Sequence, residues 1–109
     1  MKQKKTFFFE KTAFQVVERS PLARIARMVL RSPQVAMVLG QTVHLSGVNR
    51  ETFLRNSAWV RHEMCHIRQF RQHGFFRFLW LYTVESFRKG YYLNKFEVEA
   101  REGEKEMNG

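Results

Sequence analysis

The feature that most constrains this chain is a pair of histidines one helical turn apart, with a glutamate beside the first. The run reads His62-Glu63-Met64-Cys65-His66. In an α-helix, residues i and i+4 lie on one face, so both imidazoles can reach a single metal ion. Glu63 is rotated by about 100° from His62 around such a helix, where it could accept a proton from an activated water molecule. The run therefore predicts a zinc site on a helix.

The sequence around this run favours a core helix. Apolar residues flank it at helical spacing, namely Trp59, Val60, Ile67 and Phe70. We predict that the helix is capped by Asn56 or Ser57 and continues to His73, because Gly74 then supplies a stop. The alternative is that two core-facing histidines bind backbone carbonyls and hold no metal.

A catalytic zinc site usually has a third protein ligand, and the composition narrows the choice. All ten acidic residues are glutamates, which excludes Ser-His-Asp triads, aspartic dyads and EF-hand loops. The single cysteine, Cys65, excludes disulfide frameworks and Cys-rich zinc fingers, and we interpret it as a small buried apolar residue. Gln69 stands where the extended motif HExxHxxGxxH needs glycine, and His73 falls one residue too late. We therefore expect a downstream glutamate as the third ligand.

The candidates for this third ligand are Glu85, Glu97 and Glu99. Glu97 shares a face of its predicted helix with the small residue Ala100, whereas Glu99 lies on an opposite face that is wholly charged. Helical phase thus favours Glu97. Two of the candidates also have a purely structural interpretation: Glu97 could close a capping box with Asn94, and Glu85 could pair with Arg88.

Upstream of the histidines, the sequence predicts one helix and one pair of strands. Ser20-Pro21 is typical of an N-cap followed by the first helical position, and we expect a helix over 20–31. Residues 35–39 and 42–45 flank a Gly-containing turn and predict a short β-hairpin.

The remaining segments complete a prediction of an α+β fold that is mostly helical. In chain order we expect a loop or first helical turn over 46–55 and, after the HExxH helix, further helices over 75–88 and 95–105. Since no repeat or linker interrupts the sequence, we expect a single domain over 1–109. Its core would cover about 20–105, with a polar tail over 106–109.

The chain is strongly basic, with a net charge of +9. Such a charge is typical of proteins that bind nucleic acid or an anionic membrane surface, so a non-catalytic binding module of that kind is our alternative function. The most apolar segment, 75–87, contains Arg77 and Glu85 and is shorter than the roughly 20 residues that span a bilayer. We expect no transmembrane segment and a cytoplasmic location.

Two runs in this sequence resemble a known family. Residues 62–69 and 94–100 are similar to zincin-like metallopeptidases of the gluzincin type, and more closely to small bacterial HExxH domains classed as a domain of unknown function. The resemblance covers residues 35–104 and implies a minimal zincin-like fold, one bound Zn²⁺ and a peptide or protein substrate. It implies a general base at Glu63 and zinc ligands at His62, His66 and Glu97.

Other residues are candidates for the surroundings of such a site. Arg101 stands where related membrane-bound gluzincins carry an aspartate, so a ligand-orienting hydrogen bond must come from elsewhere, and Gln69 is one candidate. His44 lies on the second hairpin strand, and in zincins such an edge strand can pair with an extended peptide. Tyr91 or Tyr92 could donate a hydrogen bond to an oxyanion.

Overall fold

The computed structural model describes residues 6–9 and 11–105, and over these residues the chain is α+β and mostly helical. The predicted tail over 106–109 lies outside the described residues. The chain divides into two compact units, residues 1–56 and 57–109. The first unit contains β1 (Thr6–Phe9), β2 (Thr12–Val17), α1 (Pro21–Leu30), β3 (Val35–Leu39), β4 (Thr42–Ser46) and α2 (Arg50–Arg55). The second contains α3 (Ser57–His73), α4 (Phe75–Leu93) and α5 (Lys95–Glu104).

The first unit is built around a four-stranded sheet with the order β1-β2-β4-β3. The predicted hairpin is present: β3 and β4 pair antiparallel, with Val38 opposite Val43. β2 pairs with β4 in parallel, and β1 pairs antiparallel with β2. Phe14, Val43 and Leu45 are fully buried and form the centre of this unit's core.

Strands β1 and β2 correct the sequence analysis, which predicts no element before residue 20. The turn between them contains Lys11 at φ 71°, a conformation that favours glycine and that the sequence does not reveal. Because β2 pairs with β4, β4 is a central strand, and the expectation that His44 lies on an edge strand is wrong. A central strand has no free backbone edge to offer a peptide.

Capping residues mark where the helices of the first unit begin and end. The Ser20 hydroxyl accepts a hydrogen bond from the Ala23 backbone N–H, and α1 ends at Arg31, which adopts a left-handed conformation. The segment expected to be a loop or a first turn contains a complete short helix, α2. Asn49 caps it by accepting a hydrogen bond from the Thr52 N–H at 2.8 Å.

The second unit consists of three helices, and two glycines interrupt its helical stretch. Gly74, at φ 87°, separates α3 from α4, and Gly90, at φ 80°, interrupts α4. Both positions require positive φ, which glycine adopts without steric cost. The helix predicted over 75–88 is therefore present, but residues 91–93 add a further helical turn beyond the predicted stop.

Small residues and aromatic rings hold these three helices together. Ala100 of α5 is fully buried, and a Cβ placed at Gly103 would lie 3.9 Å from the Cβ of buried Cys65 on α3. The ring of Phe78 on α4 lies 4.6 Å from that of Phe70 and 4.9 Å from that of Phe96. This packing brings α5 alongside the histidine-bearing face of α3.

Among the described residues, no helix has both the length and the apolar character that crossing a membrane requires.

Candidate metal centre

Three side chains of the second unit converge at one point between α3 and α5. The Nε2 atoms of His62 and His66 lie 3.1 and 3.3 Å from the same oxygen, Oε1 of Glu97. One ligand atom from each residue lies within 4.8 Å of the other two. His66 and Glu97 are buried and His62 is half-buried. The structure thus brings together the three residues that the sequence and the resemblance indicate as ligands.

The other nitrogen of each histidine is held by an oxygen acceptor. His62 Nδ1 lies 2.6 Å from Oε2 of Glu104, and His66 Nδ1 lies 2.8 Å from Oε1 of Gln69. A carboxylate or amide oxygen only accepts hydrogen bonds, so each Nδ1 carries a hydrogen. Each Nε2 is then the atom available to a metal, as in metal sites where an outer hydrogen bond fixes the imidazole tautomer.

The orientation of Gln69 is itself fixed by its neighbours. Its Nε2 donates to the backbone carbonyl of Phe96 at 3.2 Å and to Oε1 of Glu99 at 2.7 Å. With the amide nitrogen directed at two acceptors, the amide oxygen faces His66. Gln69 therefore connects α3 to α5 and orients a histidine with the same side chain.

Glu97 is held on its other side by a tyrosine. The Tyr82 hydroxyl donates to Oε2 of Glu97, and the side chain of Asn94 donates to the backbone carbonyl of Tyr82 at 3.2 Å. Asn94 Oδ1 accepts from the Phe96 N–H at 2.8 Å and so caps α5. The Glu97 carboxylate is thus directed at the histidines and Tyr82, and it does not take part in the alternative capping box.

These contacts shift the pKa values of the three residues in opposite directions. Burial acts to lower the pKa of His62 and His66, but hydrogen bonds and the charge of Glu97 outweigh burial and leave both pKa values raised. Burial acts to raise the pKa of Glu97, but its hydrogen bonds with the two histidines outweigh that effect and hold the pKa far below its usual value. Without a metal, Glu97 is therefore ionised, and its carboxylate accepts hydrogen bonds from the imidazoles of His62 and His66 when these are protonated at Nε2.

Glu63 lies buried beside this cluster and is only partly satisfied. The side chain of Trp59, one turn earlier on α3, hydrogen-bonds with Glu63, but Oε1 of Glu63 has no hydrogen-bond partner among the described residues. Burial raises the pKa of Glu63 to about 8. A buried carboxyl oxygen without a partner is costly, and the neutral form that the raised pKa favours reduces this cost.

The carboxylates of the two alternative third ligands, Glu85 and Glu99, interact with other groups. Glu85 is buried, but its Oε2 accepts from the Lys95 backbone N–H at 3.1 Å and lies 3.6 Å from Lys89 Nζ. The expected pair of Glu85 with Arg88 is replaced by this pair with Lys89. Glu99 is exposed and accepts the hydrogen bond from Gln69. Neither carboxylate belongs to the His62 cluster.

The two candidate tyrosines have different surroundings. Tyr91 interacts with Glu97, and burial together with the charge of Glu97 raises the pKa of Tyr91, so its hydroxyl stays protonated near neutral pH. Tyr92 packs under the guanidinium of Arg101, whose carbon lies 4.0 Å from the ring centre, and its carbonyl accepts a hydrogen bond from Arg101. Arg101 is thus tied to Tyr92. His44 belongs to the first unit, where its Nδ1 lies 2.9 Å from Ser20 Oγ.

Sequence reasoning missed three residues of this site: Trp59, Tyr82 and Glu104. A weak signal existed for Glu104, which follows Glu97 by seven residues and so lies on the same helix face. Tyr82 falls four residues after Phe78, on the buried side of α4. Its contact with Glu97 depends on how α4 packs against α5, which no local pattern specifies.

The donor set is one that suits zinc. Two imidazole nitrogens and a carboxylate oxygen are the ligands of a common type of catalytic zinc site, and three protein ligands leave a position open for water. Both imidazoles are oriented, and an unpartnered carboxyl oxygen lies beside them. No known protein family matches the chain, and no curated protein or solved structure is detectably similar to it. The interpretation of this cluster therefore depends on its own residues.

Proposed function

We propose that this chain is a zinc-dependent hydrolase of the metallopeptidase type, with a minimal zincin-like arrangement of α3 and α5. The observation that carries the proposal is the convergence of His62 Nε2, His66 Nε2 and Glu97 Oε1. The Nδ1 atom of each histidine is hydrogen-bonded to an acceptor oxygen, which leaves Nε2 available to a metal. When bound, zinc would act as a Lewis acid that activates water and polarises a carbonyl. Peptides and proteins are the proposed substrates.

Glu63 is the proposed general base. Its Oε1 has no hydrogen-bond partner among the described residues, and the positive charge of a bound zinc ion would favour the ionised carboxylate that accepts the proton. The same group, once protonated, can return the proton to the leaving amine. The hydrogen bond from Trp59 leaves one oxygen of the carboxyl group available for this transfer.

Metal content tests the ligand set directly. We expect one zinc per chain in the purified protein, loss of the metal in His62→Ala and Glu97→Ala, and retention in Glu63→Gln. The matched controls are Glu85→Ala and Glu99→Ala, which should keep the metal. Elemental analysis also distinguishes zinc from other divalent metals that such ligands accept. Unchanged metal content in His62→Ala would show that the proposed site is wrong.

Hydrolysis of a mixed peptide library by the zinc-loaded protein tests the reaction. We expect Glu63→Gln to abolish cleavage while zinc stays bound, because the variant keeps the ligands and loses the base. Cleavage that survives this substitution would point to a contaminating protease or a different base.

Tyr91 is the proposed donor to the oxyanion that forms at the carbonyl, and Tyr92 provides a matched control. Loss of one such donor in other hydrolases lowers kcat by about 10²–10³-fold. We expect Tyr91→Phe to lower kcat in this range without loss of zinc, and Tyr92→Phe to leave kcat unchanged. Equal effects of the two substitutions would contradict the assignment.

A further inference from the structure

Helix α4 exposes a line of large aromatic side chains that the proposed reaction does not use. Phe76 is 82% exposed, Trp80 68% and Phe87 87%. At 100° per residue these three positions fall within about 40° of one another, along about 16 Å of helix. Isolated exposed apolar residues are common, but three aligned aromatic side chains indicate a surface that contacts another molecule. We call these three residues the aromatic stripe.

The edge of the aromatic stripe is basic, and no acid accompanies it. Arg77 and Arg88 are exposed on the same side of the stripe, and neither pairs with a carboxylate of any described residue. The only acid of α4, Glu85, is buried and held by the Lys95 N–H and Lys89. The chemistry of this face is thus aromatic and cationic.

We propose that α4 docks this face onto the surface of an anionic phospholipid bilayer, an interaction beyond the proposed hydrolase activity. The aromatic stripe would enter the boundary between headgroups and acyl chains, where Trp and Phe side chains are favoured. Arg77 and Arg88 can extend their guanidinium groups from the edge of the stripe to lipid phosphates. α4 thus lies in the plane of the surface, in agreement with the lack of a membrane-spanning helix among the described residues.

Two other occupants fit this surface less well. Three such side chains offer about 500 Å² of apolar area, which is less than the roughly 800 Å² per partner of a stable protein interface. A second copy packed across a twofold axis would also bring unpaired arginines together. Single-stranded nucleic acid stacks on aromatic residues within a basic groove, but the aromatic stripe lies on the convex side of a helix with arginines on one edge only.

Vesicle flotation tests the proposal with the full chain. We expect binding to vesicles that contain phosphatidylglycerol, with at least a tenfold weaker interaction for pure phosphatidylcholine or at high salt. Phe76→Ser combined with Phe87→Ser should lower binding by at least tenfold. These side chains are exposed, so circular dichroism should show an unchanged fold. Equal binding of this double variant and the wild type would overturn the proposal.

Two double variants with the same net charge distinguish the effect of the arginines beside the aromatic stripe from the effect of the protein's net charge. Arg77→Glu with Arg88→Glu should abolish binding, whereas Arg68→Glu with Arg71→Glu, which makes the same change in net charge on the exposed side of α3, should retain most of it. Equal losses would show that net charge alone attracts the protein and would overturn the proposal for α4.

Trp80 reports directly on insertion. Its emission should shift to shorter wavelength on addition of anionic vesicles, and the shift should disappear in Trp80→Phe although Trp59 remains. An unchanged emission spectrum in the presence of bound vesicles would contradict insertion of the stripe. If a single-stranded oligonucleotide displaces the vesicles and needs the same residues, the surface is a nucleic-acid site and the lipid proposal is wrong.

Discussion

At the scale of single residues, the candidate centre depends on the hydrogen bonds that orient each proposed ligand. Glu104 and Gln69 orient the two histidines, and Tyr82 holds Glu97. The partner of His62 Nδ1 is Glu104, seven residues after Glu97 on the same face of α5. Arg101, one turn earlier, contacts the ring and the backbone carbonyl of Tyr92.

Substitution of Glu104 should weaken zinc binding without removing the site. Loss of an outer partner of a ligating histidine lowers metal affinity by about 10- to 100-fold, and we expect this range for Glu104→Ala. Glu104→Gln keeps an acceptor oxygen and should restore most of the affinity. Competition with a zinc chelator measures the effect. The control is Glu102→Gln on the exposed side of α5, and an equal loss in that variant would contradict a specific role for Glu104.

Tyr82→Phe removes the hydroxyl that donates to Glu97. Because this hydrogen bond goes to a buried carboxylate, we expect the metal-free protein to lose about 1–3 kcal/mol of unfolding free energy. Tyr92→Phe, at an exposed position, should stay within about 0.5 kcal/mol of the wild type. Urea denaturation in the presence of a chelator measures both values. Equal stability of Tyr82→Phe and the wild type would show that the hydrogen bond contributes nothing.

At the scale of elements, one asparagine joins α4 to α5 and so positions Glu97. Asn94 is fully buried, caps α5 through the Phe96 N–H, and donates to Tyr82 and Ser86 of α4. The same side chain therefore caps the start of α5 and binds the backbone of Tyr82, whose hydroxyl donates to Glu97. Glu97 lies only three residues beyond this cap, so a shift of the cap would move the third ligand.

Asn94→Ala should thus lower the free energy of unfolding by more than the loss of an ordinary helix cap does. We expect a loss of about 1 kcal/mol for the cap and about 1–3 kcal/mol for the buried groups left without partners, together with weaker zinc binding. Asn49→Ala removes the cap of α2 and should cost about 1 kcal/mol with zinc affinity unchanged. Urea denaturation and chelator competition on both variants test this, and unchanged zinc affinity in Asn94→Ala would contradict the role of this residue.

The elements that the sequence predicted are those with local signals. Caps and glycines place α1, α3 and α5 to within a residue or two, and a Gly-containing turn identifies the β3–β4 hairpin. β1 and β2 were missed because β2 pairs in parallel with a distant strand and because the turn at Lys11 lacks glycine. α2 was missed because six residues are too few for helical periodicity to appear.

The same distinction applies to the residues of the site. His62, Glu63 and His66 follow from spacing within one helix, and helical phase favours Glu97 over Glu99. Tyr82 could not be predicted, because its contact with Glu97 arises from the packing of α4 against α5. The identity of the third ligand remains a prediction until metal content is measured, as does the role of the cluster.

At the scale of the whole molecule, the cluster should give the metal-free protein a characteristic dependence of stability on pH. The raised pKa values of His62 and His66 mean that their stabilising contribution is complete below 6.5 and is lost as the pH rises through the folded-state values. For Glu63, burial becomes increasingly unfavourable as the pH rises from 4.5 towards about 8. The lowered pKa of Glu97 adds stability above 4.5, which is lost on acidification.

These contributions place the maximum stability between pH 4.5 and 6.5, with a decline on the alkaline side. Urea denaturation with a chelator, at about pH 5.5 and about pH 8.5, measures this decline. Glu63→Gln should make it shallower, because the variant has no carboxyl group to ionise in the core. Stability that rises over this interval would contradict the protonation states described for the cluster.

The three proposed ligands, Glu63 and the described side chains that hydrogen-bond to them come from one uninterrupted stretch, from Trp59 to Glu104, which is less than half of the chain. No residue of the first unit is needed to complete the ligand set. Such a stretch can be duplicated, fused to another protein or inherited as a block without separating the residues of the centre.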